Sequence, residues 1–125
     1  MKFLKGFKTM TIELEHVIGN VSDLAAAVAF WRDTVGLKLK LETPDWAELD
    51  TGPTRLVLKS ASPANPAGTW QPGPRVPDLA AKRAELSARG VSVGSAPREE
   101  HGLLLSLFGG PDGAPVSLSG PVPKP

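Results

Sequence analysis

Hydrophobic and polar positions alternate in several short stretches of the chain and recur at helical spacing in two others. In residues 11–18, Ile12, Leu14, His16 and Ile18 share one face while Glu13, Glu15 and Val17 take the other, which is the two-residue period of a strand. Leu24, Val28, Trp31 and Val35 follow at i, i+4, i+7 and i+11, the apolar stripe of a helix. Ser22 or Asp23 is placed to cap its start, and Gly36 supplies a left-handed stop. Leu37, Leu39 and Leu41 then alternate with Lys38, Lys40 and Glu42 as a second strand. DWAELD and TRLVLK read as a hairpin turning at Thr51-Gly52-Pro53.

The same order occurs twice. VSDLAA at 21–26 returns as VPDLAA at 76–81, a shift of 55 residues, and Gly36 returns as Gly90 after a one-residue gap. The second helix starts at Pro77-Asp78 with Leu79 and Leu86 facing inward, and WQPGPRV, VSVGSA, HGLLLSLF and APVSLS are the matching strands. The first of these is a poor strand, because Pro72 and Pro74 cannot donate to a ladder. The expected organisation is a basic lead-in over 1–10, a first β-α-β-β-β module over 11–62, a Pro-rich linker over 63–68, a second module over 69–120 and a tail over 121–125. The fold class is α+β, two β-α-β-β-β modules whose curved mixed sheets enclose a cleft suited to a small ligand.

Composition narrows the chemistry. The 125 residues contain no cysteine, so disulfides, thiolate metal sites and cysteine nucleophiles are excluded. A net charge of +1 provides no electrostatic footprint for nucleic acid. No apolar run approaches the ~18 residues that cross a bilayer, and lysines interrupt the opening MKFLKGFKTM, so a cytoplasmic protein without a membrane partner is expected. With only His16 and His101 present, any histidine chemistry must use one of them.

Candidate binding residues follow from strand faces. Trp46 and Glu48 share one face of their strand, with Ala47 and Leu49 on the other, so Trp46 offers a stacking surface and Glu48 a polar anchor. Arg55 shares a face with Val57 and Lys59 and is placed to meet an anionic group. Trp70 and Gln71 lie toward the mouth of the expected cleft, and Phe108 completes its aromatic set. Glu99, Glu100 and His101 read as a solvated turn. GVSVG at 90–94 matches the serine-elbow spacing, but its helix precedes the serine where that motif needs it to follow.

Taken together, the strand bearing His16, VSDL, the helix with FWRDTVGL, WAEL, a hairpin and VPDL…ARGV…FGGPDG resemble the vicinal oxygen chelate superfamily over residues 12–119. This group includes glyoxalase I, extradiol dioxygenases, fosfomycin-resistance transferases and bleomycin-resistance proteins. The resemblance implies a divalent metal held by His and Glu on inner sheet faces, and a homodimer. His16 matches the first ligand position and Gln71 the one in the second module, while Ser117 falls where the last-strand acid belongs. No metal or other cofactor is therefore expected; if a metal is present, His16, Gln71 and Glu48 are its candidate ligands. The function expected is binding of an aromatic or amphipathic small molecule, as in antibiotic sequestration. The alternatives are a metal-dependent lyase, isomerase or dioxygenase using His16, and a metal-free enzyme with His16 or Glu48 as general base.

Overall fold

The computed structural model describes residues 11–123, which fall into two compact units, residues 14–73 and residues 74–123 with 11–13. The expected lead-in over 1–10 lies outside the described residues, as do the last two residues of the expected tail. The first unit carries β1 (Glu13–Val21), α1 (Leu24–Ala29), a π-helical turn (Phe30–Val35), β2 (Lys38–Glu42), β3 (Trp46–Asp50), β4 (Arg55–Ser60) and most of β5 (Trp70–Arg75). Its strands lie in the order β2-β3-β4-β1-β5, with β2, β3 and β4 antiparallel in turn and β4 parallel to β1. The second unit carries the end of β5, α2 (Leu79–Ala88), β6 (Arg98–Glu100), β7 (Leu103–Gly109) and β8 (Pro115–Pro121), with β8 parallel to β5 and antiparallel to β7. Both modules are thus β-α-β-β-β, as the repeat predicts, and in each the structure sets the last strand beside the first.

The repeat extends to the helix caps. Asp23 Oδ1 accepts the Ala26 N–H at 3.0 Å, and Asp78 Oδ1 accepts the Ala81 N–H at 3.0 Å. The VxDLAA echo is therefore a repeated N-cap that satisfies an orphan backbone donor in each helix. In the first unit Leu24 and Val28 of α1 pack on Ala47, Leu49 and Leu58, with Leu39, Leu56 and Trp31 around them. In the second unit Leu79 of α2 packs on Val76 and Leu118, flanked by Leu86, Leu104 and Phe108.

Three local expectations are corrected. The first helix does not keep one apolar stripe to its end, since Val35 is 49% exposed. Gly36 donates to Trp31 O, a five-residue closure that widens the last turn and carries Val35 off the face of Leu24 and Val28. Leu41 leaves the face of Leu39, because a bulge shifts the β2–β3 register between them and sets Leu41 opposite Glu48. VSVGSA forms no strand; Gly90 and Gly94 take positive φ, and Arg83 donates to the Val93 and Ser95 carbonyls, holding the segment as a loop. The strand lies instead at Arg98–Glu100, and His101-Gly102, both at positive φ, make the two-residue turn into β7. β5 forms despite its prolines, although the β5–β8 ladder is reduced to Arg75 opposite Ser119.

Candidate functional site

The register of the first unit sorts its side chains into two faces. His16 lies opposite Arg55, Ile18 opposite Val57 and Asn20 opposite Lys59 across β1 and β4. Across β3 and β4, Glu48 lies opposite Val57 and Trp46 opposite Lys59. Cross-strand neighbours share a face, so these residues cover the side away from α1, while Ala47, Leu49, Leu56 and Leu58 cover the α1 side. The bulge in β2 adds Leu41, 41% exposed, to the Glu48 side.

A charged network occupies this face. Trp46 Nε1 donates to Glu48 Oε2 at 2.9 Å, and Arg55 Nη1 donates to Glu48 Oε1 at 2.5 Å. Arg55 Nε donates to Glu15 Oε1 at 2.8 Å, with Nη2 on the same oxygen. That oxygen lies 3.6 Å from His16 Nδ1. Strand alternation places Glu15 opposite to His16, and this is a further correction. Arg55 is the first residue of β4, and at a strand end one long guanidinium reaches carboxylates from both sides. Burial would lower the Arg55 guanidinium, but its hydrogen bonds to Glu15 and Glu48 outweigh that and raise it. His16 is 3% exposed, and loss of solvation holds its imidazole below the ordinary value of 6.5 against the pull of Glu15.

Two glycines decide where the aromatic rings lie. A Cβ at Gly73 would overlap the Nε2, Cδ2 and Cε1 atoms of His16, so the imidazole rests on β5 backbone that only glycine leaves open. A Cβ at Gly19 would come within 2.7 Å of Trp70 Cζ3, so the Trp70 ring covers β1 backbone in the same way. Residue 16 meets 73 and 19 meets 70, so the two strands run antiparallel, and the odd spacing puts the rings on opposite faces of the ribbon. Gln71, buried and two residues before Gly73, shares the His16 side. Trp46, Glu48, Arg55, His16 and Gln71 are thus brought to one face, and Trp70 stands on the other. Phe108 belongs to the second unit, where it packs beside Val76, Leu79 and Leu118. Glu15, Leu41 and Gly73 were not singled out from the sequence; only Gly73, a strand glycine between two prolines, carried a signal there, that of a close backbone approach.

The donors present do not fit a divalent metal. His16 offers one ring whose Nε2 edge lies on Gly73, Gln71 offers an amide oxygen, and both Glu48 oxygens already accept hydrogen bonds. Among the described residues, no group of three or more His, Asp or Glu is arranged to hold one. What the face offers is the part-exposed Trp46 indole, backed by a buried imidazole and a buried, ion-paired carboxylate.

The chain matches the Glyoxalase/Bleomycin resistance protein/Dioxygenase superfamily over residues 13–118. Among solved structures, it resembles methylmalonyl-CoA epimerase from Mycobacterium tuberculosis at 23% identity and a TM-score of 0.73, covering 88% of each chain. It also resembles the epimerase of Streptomyces coelicolor solved with 2-nitronate-propionyl-CoA, at 20% identity and a TM-score of 0.69, covering 94% of this chain and 100% of that one. A superfamily member from Vibrio splendidus 12B01 matches at 15% identity and a TM-score of 0.65, covering 91% of this chain and 100% of that one. At these identities the likeness concerns the fold. No curated protein matches the chain.

Proposed function

We propose that this chain, which belongs to the glyoxalase/bleomycin resistance/dioxygenase superfamily, binds a small aromatic or amphipathic molecule on its His16 face without metal or turnover. The observation that supports this reading is the double engagement of Glu48. With one oxygen on Trp46 and the other on Arg55, each oxygen already accepts a hydrogen bond that holds a side chain in place. Such a carboxylate serves as scaffold for the indole more readily than as base or ligand. Sequestration of an antibiotic is the role this reading suggests, with the protein acting as a cytoplasmic homodimer.

A second reading is favoured by one feature. His16 is buried and held neutral, which suits a general base at a carbon next to a carbonyl. The two separate on substitution, because His16→Ala leaves affinity within about tenfold, or 1.4 kcal/mol, when His16 makes one modest contact, and abolishes turnover when it is the base. The direct test is a fluorescence titration with 8-anilino-1-naphthalenesulfonate, with and without EDTA. Saturable binding that survives EDTA and weakens about tenfold in Trp46→Ala supports binding on this face. Binding that EDTA removes overturns the metal-free reading, and binding unchanged in Trp46→Ala places the probe elsewhere.

A further inference from the structure

The register of the first unit divides the His16 face into rows that run across the strands. Asn20 on β1, Lys59 on β4 and Trp46 on β3 form one row, each opposite the next. The row spans two strand spacings, about 10 Å. His16 and Arg55 form another row, about 13 Å back along β1 and β4. The charges of the face are unevenly engaged. Arg55, expected from the sequence to meet an anion, is held by Glu15 and Glu48, and burial keeps the His16 imidazole neutral. Lys59 is half-buried, and its ammonium has no ion pair or hydrogen bond among the described residues.

Asn20, 2% exposed, is the other incomplete group of this row. Its backbone N–H donates to Thr69 O, and its carbonyl accepts from the Gly68 N–H. Its Nδ2 donates to Thr69 O at 3.3 Å and to Thr69 Oγ1 at 3.1 Å, which fixes which way round the amide lies. The remaining atom, Oδ1, is buried with no hydrogen-bond partner among the described residues, a state that costs free energy until a donor arrives. Across the row stand an ammonium and the part-exposed Trp46 indole. Stacking on Trp46, a charge-assisted bond from Lys59 and a bond to Asn20 Oδ1 call for three features in one molecule. These are a flat ring, an anionic oxygen and a neutral N–H or O–H donor.

From this row we infer that the ligand of the His16 face is an aromatic anion carrying an adjacent N–H or O–H donor, with Lys59 selecting the anion and Asn20 Oδ1 accepting the donor. The inference rests on the binding reading proposed above and names its ligand class. The test is a fluorescence titration with 8-amino-1-naphthalenesulfonate. Its counter-probes are 1-naphthylamine, which lacks the sulfonate, and 1-naphthalenesulfonate, which lacks the amine. Removing the sulfonate is expected to weaken binding about tenfold, and removing the amine about threefold. Lys59→Gln is expected to bring the aminosulfonate to within about twofold of 1-naphthylamine. Equal affinity for the aminosulfonate and either relative, a sulfonate preference that survives in Lys59→Gln, or no saturable binding of the aminosulfonate would each overturn the inference. The first two would leave the binding reading standing if every probe weakens in Trp46→Ala. Affinities unchanged in Trp46→Ala would overturn that reading and this inference together.

Discussion

Arg55 is the residue on which the His16 face depends, since it satisfies Glu15 and Glu48 at once. Removing it leaves two largely buried carboxylates facing each other without a counterion, whereas removing one carboxylate leaves Arg55 still paired. Arg55→Met is therefore expected to destabilise the protein by about 3 kcal/mol, and Glu48→Gln by less, as read from urea unfolding. His16 adds a dependence on pH. Because burial lowers its folded-state affinity for a proton, the unfolded chain binds more protons below the ordinary value of 6.5, and stability falls as pH drops through that value. The melting temperature of the wild type should fall more between pH 7.5 and pH 5.5 than that of His16→Asn. Equal slopes would show that His16 contributes no such linkage.

At the scale of elements, the two helices and their caps were legible because their signals are local: an aspartate, a DLAA start, a glycine stop. Asp78→Ala is expected to cost about 1 kcal/mol of stability in urea unfolding, the usual worth of a lost N-cap. What escaped reading was set by non-local geometry. The π turn that exposes Val35 and the bulge that moves Leu41 beside Glu48 each change a side chain's face by one residue, and periodicity has no term for an inserted residue. The faces of Trp46 and Glu48 were read correctly from alternation, but the Glu15–Arg55 bond was not, because it crosses between strands 40 residues apart. The partners in the ring-over-glycine pairs of β1 and β5 were hidden for the same reason, although Gly73 between two prolines hinted at a close approach. Gly73→Ala should displace the His16 ring, so that the imidazole ¹H–¹⁵N signals move while those of α2 stay in place. An unmoved imidazole would mean the strand backbone yields instead.

For the molecule as a whole, one superfamily fold carries a face whose acid is bound to arginine and tryptophan and whose usual metal donors are incomplete. The proposed binding function rests on this combination, since fold alone assigns neither a binding protein nor a metalloenzyme. The most direct test is native mass spectrometry, with elemental analysis, of protein purified without chelator or affinity metal. The expected result is a chain free of stoichiometric divalent metal that retains an organic adduct, with the adduct lost in Trp46→Ala. One equivalent of Zn, Ni, Mn or Fe per chain, released by His16→Ala, would contradict it and assign His16 to a metal centre.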